Sequence, residues 1–451
     1  MRELPIMSVS GIRGIVDKTI DDHFVSSIAY IQTRLANGGS IIIGRDTRPS
    51  GERFMKAACR GIRAAGGKPI DIGIAPTPTT CVAVSALKAS GGIIITASHN
   101  PNQYNGYKMV HSSGRLFRAS ECEEIYQEFK STQIPKESDF AKYQDTPEET
   151  VDASYIHIRK IISQVNVPLI ASKNLKIAVD SINGAAGAVF PQLLNQLSVE
   201  WVGVHNKLDG DFVHNPEPRP EHLGDLRQLL CNNSDLHAGF VFDPDADRLA
   251  TMGENGEDIS EEMTLVFALQ NVLEKKKSPV VTNLSTSMLI EDVGRKFGNK
   301  VIRTKIGEAN VVEGMEKHCS MIGGEGNGGV IYPAISTVRD GLTAMALILE
   351  LMAQTGKSIS ELKSMWPVYP IVKKKIPTDS TNPQELIEKL TTRFQSENTN
   401  LLEGLKITRE YGWVHLRASN TEPIIRCFAE AKTEQQAEEL AEMIFKEIET
   451  V

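Results

Sequence analysis

The chain has 451 residues, of which 41% are hydrophobic and 24% charged, the composition of an ordinary folded protein of three or four domains. Its net charge is −8, and the sequence shows no basic stripe of the kind that holds nucleic-acid phosphates. The apolar stretches are too short to span a membrane, and the first residues lack the apolar core of a signal peptide. The six cysteines are far apart and form no Cys-x-x-Cys pair, so we expect neither a zinc site nor a disulfide framework from them. These features predict a cytoplasmic protein that binds neither nucleic acid nor membranes.

The first part of the chain alternates short apolar runs with helical patterns. Continuous β-branched strands that alternate with amphipathic helices are typical of a mainly parallel sheet covered on both faces. We assign this first α/β domain to residues 1–150. The patterns predict strands at 40–44, 69–73 and 92–96, and helices at 52–65 and 79–88.

The same alternation starts again twice, which predicts three copies of one α/β domain. We assign the second domain to residues 151–255 and the third to 256–368. The predicted strands lie at 175–180, 199–205, 238–242, 279–283 and 300–304, and the predicted helices at 185–197, 223–232, 286–297 and 340–354, with a further helix from about 261.

The character of the sequence changes after residue 368. A helix at 386–394, strands at 414–417 and 424–429, and a final helix predict a small α+β domain over 369–451. The predicted fold is therefore α/β, with three similar domains that have mixed, mainly parallel sheets, plus the small C-terminal α+β domain.

Each predicted domain contains one conspicuous polar loop, and the first is TASHNP at 96–101. It follows an apolar strand directly, at the end where parallel sheets expose their functional sites. Pro101 and Gly106 prevent a helix from continuing, so Ser98 would be presented on a loop. A turn stabilised by the serine and asparagine side chains explains this segment equally well.

The second loop is DPDADR at 243–248, after the apolar run AGFVF. Three carboxylates at alternate positions, Asp243, Asp245 and Asp247, favour a hard cation such as Mg²⁺. Their spacing also fits an EF-hand, but Arg248 occupies the position of the required glycine and a strand precedes the loop. An acidic surface turn is disfavoured by the apolar residues before it, so we expect a metal site.

The third loop, GGEGNGG at 323–329, has five glycines that permit close approach of a ligand and leaves Glu325 and Asn327 to bind hydroxyls. A flexible hairpin explains it more simply. The fourth loop, RASNTEP at 417–423, is suited to phosphate, although an ordinary turn is an equal alternative. Two more basic residues, Arg13 and Lys108, are candidates to neutralise phosphate or move protons; alone, each would be a solvated surface charge.

Taken together, the four loops resemble the motifs of the α-D-phosphohexomutase superfamily over essentially the whole chain. TASHNP, DPDADR, GEGNGG and RASNTEP occur in family order, and GIRG near the start and GRDTRPSG at 44–51 also agree. The resemblance implies four domains around one central cleft. It also implies an isomerase that moves a phosphoryl group between O6 and O1 of a hexose phosphate.

The resemblance implies roles for the matching residues. Ser98 would carry a phosphate, donate it to the sugar monophosphate, and recover the other phosphoryl group after the bisphosphate has turned. Mg²⁺, held by Asp243, Asp245, Asp247 and a phosphoserine oxygen, would offset charge on the transferring group. Lys108 matches the lysine proposed as general acid/base, which burial beside the metal and an arginine would poise for proton transfer.

The remaining implied roles concern the substrate and the activator. Arg13, His99 and Arg248 match positions near the transferring group. Glu325 and Asn327, with Lys305 of the TKIGE segment, would bind the sugar. A hexose bisphosphate would act as activator, and the enzyme would be a monomer or homodimer. The non-reacting phosphate would be held by Arg417, Ser419, Asn420 and Thr421, with Arg426 behind them.

The sequence departs from the best-known branches at the sugar loop. Phosphoglucosamine mutases usually have a loop like GGEQSGH, and phosphomannomutase/phosphoglucomutases one like GEMSGH. Here Asn327 replaces the serine and Gly329 the histidine, while Glu308 stands where Asp or His is expected. We favour a phosphoglucosamine mutase, whose step feeds cell-wall amino sugars in most bacteria; the alternative is a phosphomannomutase/phosphoglucomutase.

Two other hypotheses belong to different classes. A phosphatase of similar fold would hydrolyse the phosphoserine, but it would have little use for the complete fourth loop. A non-catalytic sugar-phosphate sensor would have lost Ser98 or one of the aspartates, and all of them are present.

Overall fold

The computed structural model describes residues 5–448 except 9–10, 132, 379–381 and 419–423. Within these ranges the chain forms three mixed α/β units and one antiparallel unit, as predicted. No helix in this part of the chain is long and apolar enough to cross a membrane.

The first unit is built on a seven-stranded sheet of order β1-β2-β6-β5-β3-β4-β7. Its elements are β1 (Ile6–Ser8), β2 (Gly11–Ile15), α1 (Asp22–Leu35), β3 (Gly39–Arg45), α2 (Gly51–Ala64), β4 (Gly67–Ile74), α3 (Thr77–Ala86), β5 (Gly91–Ile95), β6 (Tyr104–His111), α4 (Ala119–Ser131), α5 (Glu137–Phe140) and β7 (Glu149–Thr150).

The second unit has a four-stranded sheet of order β11-β10-β8-β9. Its elements are α6 (Ser154–Ile162), α7 (Val167–Ala171), β8 (Lys176–Asp180), α8 (Phe190–Gln196), β9 (Glu200–Val204), α9 (Gly224–Asn232), β10 (Ala238–Phe242) and β11 (Leu249–Met252), with 3₁₀ turns at Ala185–Ala188 and Pro220–His222.

The third unit has a five-stranded sheet of order β13-β12-β14-β15-β16. Its elements are α10 (Glu262–Lys275), β12 (Val280–Asn283), α11 (Leu289–Phe297), β13 (Val301–Thr304), α12 (Glu308–His318), β14 (Ile322–Glu325), β15 (Gly329–Tyr332), β16 (Ser336–Arg339), α13 (Gly341–Thr355) and α14 (Ile359–Ser364).

The fourth unit has an antiparallel sheet of order β17-β21-β20-β19-β18. Its two longer helices pack their apolar faces on this sheet. Its elements are β17 (Ile371–Pro377), α15 (Pro383–Arg393), β18 (Thr399–Asn400), β19 (Leu405–Arg409), β20 (Gly412–Ala418), β21 (Ile424–Ala431) and α16 (Glu434–Ile448).

The first three sheets share one four-stranded core. In each core the first strand lies parallel between the second and third, and a fourth strand is antiparallel to the third. The Ser98 loop joins β5 to β6, the aspartate loop joins β10 to β11, and the glycine-rich loop joins β14 to β15. The three polar loops therefore occupy the same topological position in three copies of one fold.

The predicted elements are incomplete, since several helices and strands, among them α1 and α12, were not predicted, and three differences bear on the site or on element boundaries. Strand β6, which carries Lys108, was not predicted. The helix predicted at 185–197 is wrong at its start, because Pro191 lies in the first turn of α8, where proline is best tolerated. The helix predicted from Thr286 begins at Leu289 instead, since the Thr286 hydroxyl and amide both bond to Asn283.

Apolar packing joins the second and third units. A single core cluster runs from Ile158 through the strands and helices of both units to Trp366. The fourth unit has a separate core, as does the side of the first sheet that packs on α1 and α2, whereas a further cluster of the first unit includes Ala153 and Val338 of the neighbouring units. We propose domain boundaries at residues 150, 255 and 368, since each falls between two sheets.

Candidate active site

Ser98 lies just beyond the carboxyl end of β5 and is fully buried. Its backbone φ is +50°, in the left-handed region that non-glycine residues seldom adopt. The Ser98 amide donates to the Thr96 hydroxyl at 2.9 Å, and that hydroxyl donates to Asp46 at 2.6 Å. Such a conformation persists where the surroundings fix it, as is common at functional sites.

Arg48 fixes the same loop from the other side. Its guanidinium donates to the Ser98 and Asn100 carbonyl oxygens, both at 2.6 Å, and to those of Pro101 and Tyr104. Asp46 balances the buried charge of Arg48 at 3.0 Å. Four carbonyls bound to one buried guanidinium leave the serine loop little freedom.

The three aspartates form a fully buried cluster. Asp243 Oδ2 accepts a hydrogen bond from Ser98 Oγ at 3.1 Å, so the metal loop and the serine loop meet. Burial raises the pKa of Asp243, and the neighbouring Asp247 and Asp245 carboxylates raise it further. Such crowding of carboxylates favours a bound cation.

Two carboxylate oxygens of the cluster are available to bind a metal ion. The Oδ1 atoms of Asp245 and Asp247 are buried and have no hydrogen-bond partner among the described residues. Unpartnered buried carboxylate oxygens are costly unless they bind a cation. The residues therefore fit a divalent, oxygen-preferring metal ion, and the alternative of an acidic surface turn is wrong.

Lys108 reaches this cluster from β6, where register places it opposite Ile94. Its Nζ lies 2.6 Å from Asp245 Oδ2 and 3.1 Å from Asp247 Oδ2. Burial alone would lower the pKa of Lys108, but Asp245, Asp247 and Glu308 outweigh it, and the pKa is raised. In this arrangement the carboxylates hold the proton of Lys108, and its role in proton transfer stays a prediction.

Arg339, at the end of β16, joins the metal loop to the sugar loop. Its Nη2 lies 2.7 Å from Asp247 and its Nη1 2.7 Å from Glu325, while Glu308 Oε2 lies 3.6 Å from its Nε. Burial alone would lower the pKa of Arg339, but these carboxylates raise it. A Cβ at Gly329 would lie 2.2 Å from Arg339 Cδ. The arginine therefore fills the space that a side chain at Gly329 would need, which accounts for the missing histidine.

The three residues predicted to bind sugar differ in burial. Asn327 is half-buried in the turn between β14 and β15, where its Oδ1 accepts from the Gly329 amide at 3.3 Å. Glu325 is buried and also accepts from Asn283 and the Gly307 amide. Lys305 is exposed in the connection between β13 and α12.

Arg13, Arg248 and His99 surround the serine loop. Arg13 Nη1 donates to Asn100 Oδ1 at 3.1 Å, and His99 Nδ1 lies 3.4 Å from Ser98 Oγ. Burial and the neighbouring Arg248 lower the pKa of Arg13, and burial with both arginines lowers the pKa of His99 to about 2. Two close guanidinium groups beside a neutral histidine suit an anion such as a phosphoryl group.

In the fourth unit, cations lie in a row across three strands. Arg417 on β20 is directly opposite Arg426 on β21, which is opposite Lys375 on β17. Like charges opposite each other destabilise a sheet, so the row favours an anion. Ser419, Asn420 and Thr421 lie outside the described residues.

Glu403 links this row to the third unit. It accepts from Arg417 Nη1 at 3.2 Å and from the Ile306 amide at 2.6 Å. The row is thereby tied to the connection that carries Lys305.

The sequence analysis missed three residues at these sites. Arg48 belongs to the GRDTRPSG motif, which matched the superfamily without a role. Lys375 lies on the edge strand β17, and no pattern in the sequence indicated that it belongs to a site. Apart from Gly329, whose lack of a side chain leaves space for this arginine, no feature of the sequence indicated that Arg339 belongs to the site.

Comparison with known proteins agrees with this geometry. The α/β/α domains I, II and III of the phosphoglucomutase/phosphomannomutase family match residues 6–135, 153–256 and 260–369, and its C-terminal domain matches 378–447. A phosphoglucomutase/phosphomannomutase of Thermococcus kodakarensis is 35% identical and covers 97% of each chain. A probable phosphoglucosamine mutase of Methanopyrus kandleri is 32% identical over 96% of this chain and 95% of that protein.

Solved structures show the same architecture. A phosphoglucomutase/phosphomannomutase family protein from Burkholderia thailandensis superposes with a TM-score of 0.84 at 25% identity, covering 98% of this chain and 96% of that one. The chain therefore belongs to the phosphoglucomutase/phosphomannomutase family of the α-D-phosphohexomutase superfamily. It is an isomerase of a metal-dependent family that acts on hexose phosphates, so the predicted family, fold class and enzyme class are confirmed.

Proposed function

We propose that this enzyme interconverts hexose 6-phosphate and hexose 1-phosphate through a phosphoserine at Ser98 and a bound bisphosphate. The observation that carries the proposal is the contact between Ser98 Oγ and Asp243, 3.1 Å apart in a buried acidic cluster. A buried serine hydroxyl beside three carboxylates suits phosphoryl transfer when a cation offsets the charge.

The proposed metal ion is Mg²⁺, held by Asp243, Asp245, Asp247 and an oxygen of the phosphorylated Ser98. When bound, it supplies charge neutralisation for the transferring phosphoryl group. With a cation on these carboxylates, Lys108 would lose part of the negative charge that raises its pKa, and its burial would favour release of the proton. This exchange supports the proposed role of Lys108 as general acid/base.

The arginines hold the two phosphates of the intermediate. Arg13 and Arg248 bind the transferring group with His99 beside them, while Arg417 and Arg426, with Ser419, Asn420 and Thr421, bind the other phosphate. Glu325, Asn327 and Lys305 orient the sugar between the two sites. One fixed and one reactive phosphate site allow either end of the sugar to be bound, provided that the bisphosphate turns before it leaves.

For the sugar, we favour glucosamine phosphate. Seven relatives at 30–33% identity are named probable phosphoglucosamine mutases. The second candidate is a phosphoglucomutase/phosphomannomutase, the name of the relative that is 35% identical.

A coupled assay started with a hexose bisphosphate tests these proposals on glucosamine-, mannose- and glucose-phosphates. We expect kcat/KM to be highest for glucosamine phosphate; a higher value for mannose or glucose phosphate would favour the second candidate. Release of inorganic phosphate without isomerisation would instead indicate a phosphatase. Binding without turnover of any sugar phosphate would indicate a sensor.

A further inference from the structure

A second cluster of metal-ligating side chains lies at the edge of the second sheet. Asp180 ends β8 and is buried, His205 follows β9, and His214 lies in the long connection after it. Asp180 Oδ2 is 3.1 Å from His205 Nδ1 and 3.2 Å from His214 Nε2. One ligand atom from each of the three residues lies within 4.8 Å of the other two.

The outer nitrogens of both imidazoles have acceptors as partners. His205 Nε2 is 3.1 Å from the Asp225 carboxylate, and His214 Nδ1 is 2.9 Å from the Asn215 carbonyl oxygen. A carboxylate and a carbonyl can only accept, so these two nitrogens carry the hydrogens. In neutral rings with these hydrogens, the lone pairs of His205 Nδ1 and His214 Nε2 would face Asp180.

With this arrangement of hydrogens, three lone pairs, one each from Asp180, His205 and His214, would face one another. They repel unless positive charge lies between them. Either both histidines take a second proton and share one carboxylate, or a metal ion lies among the three atoms. A tetrahedral zinc ion with ligand bonds of about 2.0–2.1 Å separates its ligand atoms by about 3.3 Å. The observed separations of 3.1 and 3.2 Å are close to that spacing. Histidine ligands of zinc also usually donate their other nitrogen to a carboxylate or carbonyl, as both do here.

We propose that Asp180, His205 and His214 bind a transition-metal ion, with Zn²⁺ the best fit for two imidazoles and one carboxylate. This site is separate in its ligands from the aspartates of the reaction centre, which offer oxygen alone.

The metal ion would fix the connection between His205 and Arg219 onto the serine loop. Asn102 donates to the Gly210 carbonyl oxygen at 2.7 Å, and the Phe212 ring lies 5.0 Å from the Arg48 guanidinium. A Cβ at Gly210 would lie 2.1 Å from the Thr47 carbonyl oxygen, so the two segments are in close contact. The role is structural: the ion anchors a segment that packs on the residue that positions Ser98.

Zinc binding is measured by calorimetry on chelator-treated full-length protein in excess Mg²⁺, which occupies oxygen-only sites. We expect wild type to bind one more equivalent of Zn²⁺ than His214→Ala and to gain thermal stability from it. His318→Ala, which removes a histidine from α12 in the third unit, is the matched control and should keep that equivalent. Cobalt(II) in place of zinc should give visible absorption bands in wild type that His214→Ala lacks.

Asp225→Asn sharpens the test, since Asp225 is exposed and touches the site only through the outer nitrogen of His205. Loss of such an outer partner should weaken zinc binding about 10–100-fold. If wild type and His214→Ala bind equal amounts of Zn²⁺, the cluster is two imidazolium ions on one carboxylate and the proposal fails. Unchanged zinc affinity in Asp225→Asn would contradict the proton assignment on which it rests.

Discussion

The reaction centre and the cationic row of the fourth unit differ in how far their charges are balanced by partners within the protein. Near Ser98, Asp245 and Asp247 are paired with Lys108 and Arg339, and all of these side chains are at most 8% exposed. In the row, Arg417 is 25% exposed and has a single carboxylate partner, Glu403, among the described residues. The first site is nearly balanced before a ligand arrives, whereas the second keeps an excess of positive charge.

The difference matches two tasks. Phosphoryl transfer gains from fixed dipoles and charges that need no reorganisation, so a buried and paired site suits it. The non-reacting phosphate must be released and bound again, so it should be attracted without being rigidly enclosed. Partly exposed cations meet this requirement. Substitutions at the reaction centre should therefore change kcat most, and those in the row should chiefly change affinity.

The largest effect is expected for Ser98→Ala, which removes the hydroxyl oxygen proposed to carry the phosphoryl group. Mutase activity should fall to background, and intact-mass measurement should show phosphate on wild type and none on the variant. Ser113→Ala, at an exposed position of the same unit, should remain active. Substantial activity in Ser98→Ala would refute the proposed nucleophile.

The next effect is expected for Asp245→Asn, which removes one charge from the acidic cluster. We expect weaker Mg²⁺ binding and a loss in kcat on the order of 10²-fold, the size typical of one preorganised electrostatic group. Thermal unfolding should be measured beside activity, because Asp245 also pairs with the buried Lys108 and its loss lowers stability as well as metal binding. Asp235→Asn, an exposed carboxylate of the same unit, is the control. Equal activity of Asp245→Asn and wild type, with EDTA having no effect on either, would mean that the aspartates are structural.

The sequence analysis predicted the residues whose role is indicated by their immediate neighbours in the sequence. Ser98 and the three aspartates follow apolar strands directly, so their position at the sheet edge could be inferred. Arg48 and Arg339 could not be predicted in the same way, because they act over sequence separations of 50 and 92 residues, to Ser98 and Asp247 respectively. The first contact depends on how distant segments of one unit come together, and the second on how two units pack.

Local sequence patterns also do not determine the register in which strands pair. Lys375 joins Arg426 and Arg417 only because β17 pairs with β21 in one particular alignment. Strand β6 was missed for a related reason: its antiparallel return places Lys108 opposite Ile94, and NGYKMVH has no clear alternation of polar and apolar residues.

A smaller effect than at the reaction centre is expected for Arg417→Ala. A charge-assisted hydrogen bond contributes about 1.5–3 kcal/mol, so KM should rise and kcat/KM should fall roughly tenfold or more. The bisphosphate should also escape before turning, and the variant should need more added hexose bisphosphate than wild type. Activity curves against added bisphosphate that superimpose would show that Arg417 does not hold phosphate.

The smallest effect is expected for Lys375→Ala, and it tests whether the row acts as a unit. Lys375 is exposed and lies opposite Arg426, so it adds attraction for the same anion through solvent-screened charge. Exposed ion pairs contribute about 0.2–1 kcal/mol, which corresponds to a rise in KM of about 1.4- to 5-fold with kcat unchanged. The rise should shrink at high salt, because screening weakens exposed pairs.

Lys373→Ala is the matched control, since Lys373 lies on the same strand and the same face, two residues away, beside Glu261. A general loss of positive charge would affect both variants equally, whereas a phosphate held by the row would be sensitive to Lys375 alone. Combining Lys375→Ala with Arg417→Ala should then cost less than the two single effects together, because both residues act on one anion. Strict additivity of the two substitutions would mean that Lys375 and Arg417 act independently, and the row would not be a single phosphate site.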